Sequence, residues 1–128
     1  MAQILLIDPD HLLAETYRVA LAAIGHKVTA RAGAQAAITA ADRAKPDLVI
    51  LELQLIEHSG VEFLYEFRSY PEWQNIPVVV QTGVPPAEFA DNWQLLKDGL
   101  GVNTYLYKPQ TSLRQLLACV QEQLPVPA

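Results

Sequence analysis

The feature that most constrains this chain is a unit that recurs five times: a short aliphatic run that stops at polar residues, followed by a stretch with helical spacing. Gln3, Ile4, Leu5, Leu6 and Ile7 run into Asp8, Pro9 and Asp10. Leu13, Tyr17, Ala20 and Ile24 then return at helical intervals until Gly25, with Asp10 placed to cap the first amides. Residues 27–31 alternate as a strand does, Gly33 breaks them, and the alanine-rich stretch 34–44 makes a second helix stopped by Pro46. Residues 47–51 are an aliphatic strand with Glu52 at its carboxyl end; Gly60 then closes a loop before a helix carrying Val61, Phe63, Leu64 and Phe67. A fourth strand, 77–80, leads into Gln81, Thr82 and Gly83. Pro85 and Pro86 then introduce a fourth helix with the stripe Phe89, Trp93, Leu96 and Leu100. A fifth strand, 104–107, ends at Lys108 and Pro109, and Ser112 with Gln115 forms a capping box for a last helix.

Unbroken aliphatic strands are what a parallel sheet covered on both faces requires, because neither face can be polar. Short strand–helix alternation with right-handed crossovers therefore predicts a doubly wound α/β fold with five parallel strands and helices on both sides. The 128 residues suffice for one core, so residues 1–124 read as one domain and 125–128 as a tail or the start of a linker.

In such sheets ligands bind beyond the carboxyl ends of the strands. The residues collected there are Asp8 and Asp10, Glu52, Thr82 and Lys108. Each has an ordinary reading. Asp8 and Asp10 can stop a strand and cap a helix, threonine is at home in strands, and lysine before proline is a common turn residue. Glu52 is the odd one, since a carboxylate ending an aliphatic strand costs free energy unless it finds a partner. The functional reading rests on all of them sharing one edge.

Other chemistries lack support. A net charge of −5 argues against a broad nucleic-acid footprint. No glycine-rich loop follows the first strand, where Asp8, Pro9 and Asp10 would repel a phosphate, so a nucleotide- or flavin-binding enzyme is not indicated. His11, His26 and His58 lack metal-ligand spacing, the single cysteine, Cys119, reads as a buried thiol, and no serine–histidine–acid set can be drawn at the strand ends. The chain thus does not read as an enzyme. The opening residues carry no cleavable leader and no run is long enough to span a membrane, which gives a cytoplasmic expectation.

Taken jointly, I-L-L-I-D-P-D, P-D-L-V-I-L-E-L, I-P-V-V-V-Q-T-G and T-Y-L-Y-K-P resemble the signature of response-regulator receiver domains over essentially the whole chain. The resemblance implies a flavodoxin-like strand order of 2-1-3-4-5 and phosphorelay signalling by a two-component system. In that family, adjacent acids bind magnesium and an aspartate ending the third strand takes a phosphoryl group from a histidine kinase. By this correspondence Glu52 occupies the phosphoacceptor position. Asp8 is the first acid, and Gln54 offers its backbone carbonyl to the metal. Thr82 is the switch hydroxyl, Tyr105 the aromatic ring that rotates on activation, and Lys108 the phosphate-binding lysine. Pro109 would follow a cis peptide bond. Partners implied are a histidine kinase and an output domain or effector, and homodimers through the fourth helix, fifth strand and fifth helix. That surface would expose parts of Trp93, Tyr105, Tyr107 and Arg114, with Trp93 turned mainly to the core.

Two departures stand out. Pro9 replaces the second acid, so magnesium should bind weakly unless Asp10 reaches back into the pocket. Glu52 adds a methylene, which moves the carboxylate by more than about 1 Å and can cost on the order of 100-fold in rate. The loop Ile56, Glu57, His58, Ser59 and Gly60 keeps only its glycine from the family pattern. The expectation is an atypical receiver that works by protein contacts with phosphotransfer weakened or lost; a conventional magnesium-dependent phosphoacceptor is the alternative. Whether Glu52 mimics phosphorylation or the domain is an inert scaffold stays open from sequence alone.

Overall fold

The computed structural model describes residues 2–124; the expected tail at 125–128 lies outside them. Five strands form one all-parallel sheet: β1 (Gln3–Ile7), β2 (Lys27–Arg31), β3 (Leu48–Leu51), β4 (Val78–Thr82) and β5 (Val102–Tyr107). Their order is β2-β1-β3-β4-β5, the doubly wound flavodoxin-like arrangement expected from the sequence. The central strands are the most aliphatic for a physical reason. β3 is flanked by β1 and β4 and covered on both faces, so Leu48, Val49, Ile50 and Leu51 are all buried.

Alternation along the strands divides the core into two layers. Leu5, Ile7, Val49, Leu51, Val78 and Val80 pack with Ala37, Phe63, Leu64, Phe67 and Trp73, on the side of α2 (Ala34–Arg43) and α3 (Gly60–Ser69). Ile4, Leu6, Leu48, Ile50 and Val79 pack with Ala14, Tyr17 and Leu21 of α1 (His11–Ala23) and with Leu116 and Val120 of α4 (Leu113–Gln123).

The helix ends obey local rules. The Asp10 side chain accepts from the Leu13 amide, and Gly25 follows the helix at φ +97°, a conformation that suits glycine. Ser112 and Gln115 form the expected capping box. A second box, Ser59 with Glu62, opens α3.

The expected fourth helix is different in kind. Residues Pro86–Asn92 form 3-10 turns and Leu95–Gly99 a π turn, where an α-helix was predicted. Pro85 and Pro86 remove two amide donors at the start, and no side chain caps the segment. The amide of Glu88 reaches Pro85 O at 3.0 Å, and that of Leu100 reaches Leu95 O at 2.9 Å. The apolar stripe still works: Leu96 and Leu100 are buried, while Phe89 and Trp93 are half-buried against the core. The segment is anchored at its far end by Arg68, whose guanidinium donates to the carbonyls of Leu100, Gly101 and Trp73. Cys119 is half-buried rather than buried, packed against the rim of the layer under α4.

Candidate functional site

Four strands deliver one side chain each to the same pocket. Asp8 follows β1, Glu52 follows β3, Thr82 is the last residue of β4, and Lys108 follows β5. Asp8, Glu52 and Thr82 are 4%, 5% and 0% exposed, and the Lys108 side chain 19%. In this register the long lysine stem crosses toward β1 and β3, and its ammonium lies 2.8 Å from Asp8 Oδ2 and 2.8 Å from Glu52 Oε1.

Glu52 is the hub. Its Oε1 accepts from Lys108 and from the Gly83 amide at 3.4 Å. Its Oε2 accepts from the Thr82 hydroxyl and from the Gln54 amide at 3.1 Å. Burial opposes ionisation of this carboxyl, but the hydrogen bonds from Lys108, Thr82 and the Gln54 amide outweigh it and hold its pKa below the ordinary glutamate value. Lys108 is the mirror case: burial works against its charge, and the bonds to Asp8 and Glu52 prevail and raise its pKa. A charge-assisted pair sheltered from water, with its remaining lone pairs satisfied, is the geometry in which such a pair holds.

Asp8 and Asp10 divide their labour. Asp8 Oδ1 accepts from the Asp10 amide at 2.9 Å while Oδ2 holds Lys108. Asp10 is exposed and its Oδ1 is committed to the helix cap, so it does not reach back as a second pocket acid. Pro9 has no ligand atom in its side chain. Lys108 thus stands between the two buried carboxylates, where a cation would otherwise be held. Among the described residues, no group of three or more His, Cys, Asp or Glu side chains could hold a metal ion. Among the described residues the buried acids of the pocket are Asp8 and Glu52, and both are paired with Lys108. Gln54 is exposed; its contribution is the amide donated to Glu52.

The second half of the expected machinery is linked to the first. The Val84 amide donates to Thr82 Oγ1 at 3.1 Å, and the Val84 carbonyl accepts from the Tyr105 hydroxyl at 2.7 Å. Burial, with the charges of Glu52 and Glu88, pushes the Tyr105 phenol up to about 12, so it remains a donor. Its ring packs against Phe89 and, edge-on, Trp93. The expected cis bond before Pro109 is a correction: no peptide bond among the described residues is cis. Lys108, Pro109 and Gln110 instead make a 3-10 turn closed by the Thr111 amide on Lys108 O. The two backbone donors, Gln54 and Gly83, could not be read from side-chain identity at all.

The family model for the response regulator receiver domain matches residues 4–121. The chain belongs to this family. As a receiver domain it is a signalling module of two-component response regulators. It is 34% identical over 85 residues to the probable transcriptional regulatory protein TcrX of Mycobacterium tuberculosis, covering 66% of this chain and 36% of that protein. It is 28% identical over 109 residues to the KDP operon transcriptional regulatory protein KdpE of Escherichia coli, covering 85% of this chain and 45% of that protein. The receiver therefore spans less than half the length of these two relatives. In fold it is similar to the chemotaxis response regulator CheY4 of Vibrio cholerae, with a TM-score of 0.84 at 22% identity over 97% of this chain and 99% of that one. It is likewise similar to the response regulator TrrA of Thermotoga maritima, solved with Mg2+ and BeF, with a TM-score of 0.80 at 19% identity over 97% and 100%. Among the described residues, no helix of this receiver is long and apolar enough to cross a membrane.

Proposed function

We propose that this receiver domain signals through protein contacts in a state fixed by Glu52, whose carboxylate takes the place of the phosphoryl group a conventional acceptor would carry. The observation that supports this reading is the set of donors around Glu52: the Thr82 hydroxyl, the Lys108 ammonium and the Gln54 and Gly83 amides. These are the groups that would close on phosphoryl oxygens, and here one carboxylate uses them all. The engaged Thr82 oxygen in turn accepts from Val84, whose carbonyl holds Tyr105. The charge at Glu52 is thereby tied to an aromatic residue on the partner-binding side.

Phosphotransfer is correspondingly weak. Both Glu52 oxygens are occupied as acceptors, so neither is set for in-line attack on phosphorus. Magnesium binds weakly, because Pro9 offers no ligand and Lys108 neutralises the two carboxylates from between them. Signalling partners of the kinase, effector or output-domain kind meet the surface formed by residues 86–99, β5 and α4. There Pro86, Phe89, Ala90, Trp93 and Tyr105 line a cleft of about 300 Å³. Homodimers use the same surface, and the reading carries a cytoplasmic location with it.

Incubation with magnesium and a small phosphodonor, followed by intact-mass measurement, tests the reading. The native chain should stay unmodified and Glu52→Asp should gain one phosphoryl group. A Glu52-dependent gain in the native chain would defeat the proposal in favour of a conventional acceptor. If neither protein is labelled, the metal site is the obstacle, and Pro9→Asp in the Glu52→Asp background should restore labelling.

A further inference from the structure

On the face of the sheet covered by α1 and α4, the apolar layer is interrupted by two polar side chains. Gln81 shares the face of Val79 by strand alternation and is 2% exposed; Tyr17 of α1 is 7% exposed among Leu6, Ile50, Val79 and Leu116. The Gln81 Nε2 donates to the Tyr17 hydroxyl at 2.7 Å, while Gln81 Oε1 is buried without a hydrogen-bond partner among the described residues. An unpaired buried acceptor carries a free-energy cost that an apolar side chain of like volume would not. A carboxamide held at one end and free at the other is therefore the anomaly of this layer.

The pocket contains a matching donor. An ammonium has three N–H groups, and Asp8 Oδ2 and Glu52 Oε1 take two of those of Lys108. Gln81 is paired with Leu106 and Thr82 with Tyr107, so the carboxamide and Lys108 leave adjacent strands within two residues of each other in register. The Tyr17 phenol is raised by its burial, lowered by the charge of Lys108 and raised by that of Asp8, which marks one electrostatic neighbourhood for all these groups.

We propose that Gln81 is a positioning residue for Lys108: its Oε1, steadied by Tyr17, is the acceptor that takes the ammonium when Glu52 releases it. The pocket then has two seats for one cation, and leaving Glu52 does not strand a buried charge. This rests on the reading of Glu52 given above as the carboxylate that holds Lys108, but its test requires neither phosphodonor nor magnesium, so the two can fail separately.

The measurement is hydrogen exchange of the Lys108 ammonium protons, followed by side-chain 15N spectroscopy in a Glu52→Ala background. Exchange should be roughly tenfold faster in Glu52→Ala/Gln81→Met than in Glu52→Ala, the scale of losing one hydrogen bond to a charged group. Glu52→Ala/Gln81→Glu, which keeps an acceptor, should exchange no faster than Glu52→Ala; Glu52→Ala/Val79→Ala, a packing change in the same layer, should match it. Equal rates in Glu52→Ala and a folded Glu52→Ala/Gln81→Met would overturn the proposal. So would acceleration in the Val79 variant as large as that in the Gln81→Met variant, or rapid exchange in the Gln81→Glu variant, which stands in if the methionine variant does not fold.

Discussion

Glu52 is one methylene longer than an aspartate, and Lys108 is the counter-ion that joins it to Asp8. Removing that cation leaves two carboxylates, each at most about one-twentieth exposed, without their partner. Lys108→Met should accordingly lose about 3–5 kcal/mol of stability, and adding Glu52→Gln should recover part of it; urea unfolding of the three proteins checks both. The pH dependence follows from the same bonds. The folded pKa of Glu52 lies below its unfolded value, so its contribution is complete above the ordinary glutamate pKa of about 4.3 and is lost as pH falls through the lower folded value. Lys108 is raised, so its contribution is present below the ordinary lysine pKa of about 10.4 and is lost as pH climbs past the folded value. Urea midpoints measured across acid pH should fall less steeply in Glu52→Gln than in the native chain. Asp8, Glu52, Thr82 and Lys108 were legible because strand alternation and the polar stop after each aliphatic run mark them without any knowledge of contacts. Gln81 was not, since a glutamine next to the strand end looks like part of the stop; only the face it turns to makes it buried.

At the scale of elements, the loop from β3 to α3 fixes where Glu52 points. A Cβ added to Gly60 would lie 2.7 Å from Glu52 O and 2.7 Å from Leu53 Cα, both backbone atoms that cannot swing aside. Gly60→Ala should therefore destabilise by about 1–3 kcal/mol and shift the Gln54 and Glu52 amide resonances, whereas an alanine on the open side at Gly33 should not move them. Asp10 gives the contrasting case, because its side chain serves only α1. Asp10→Ala should cost about 1 kcal/mol in thermal or urea unfolding and leave the Lys108 environment unchanged; a change there would mean that Asp10 belongs to the pocket after all. Caps and strands were readable since caps depend on residues three apart and strands on alternation over every second residue. The segment from Pro86 to Gly99 was not, because its periodicity reports which side chains face the core and says nothing of how tightly the backbone is wound.

At the scale of the molecule, the doubly wound sheet sets the pocket and the cleft side by side toward the carboxyl ends of β4 and β5. The pocket sits beyond the strand ends, and the Thr82–Val84–Tyr105 connection leads from it to the cleft beside Phe89 and Trp93. On the proposed reading, the Glu52 carboxylate makes that connection without a phosphoryl group. The measurement that bears most directly on this is the amide spectrum of the native chain titrated with magnesium and beryllofluoride, beside that of Glu52→Asp. The account predicts that the native spectrum barely changes, and that the aspartate variant moves at Gln54, Gly83, Val84 and Tyr105 toward the native positions. A native chain that responds to the titration at those residues, or a variant already at the native positions before it, would contradict the claim that Glu52 holds the switch.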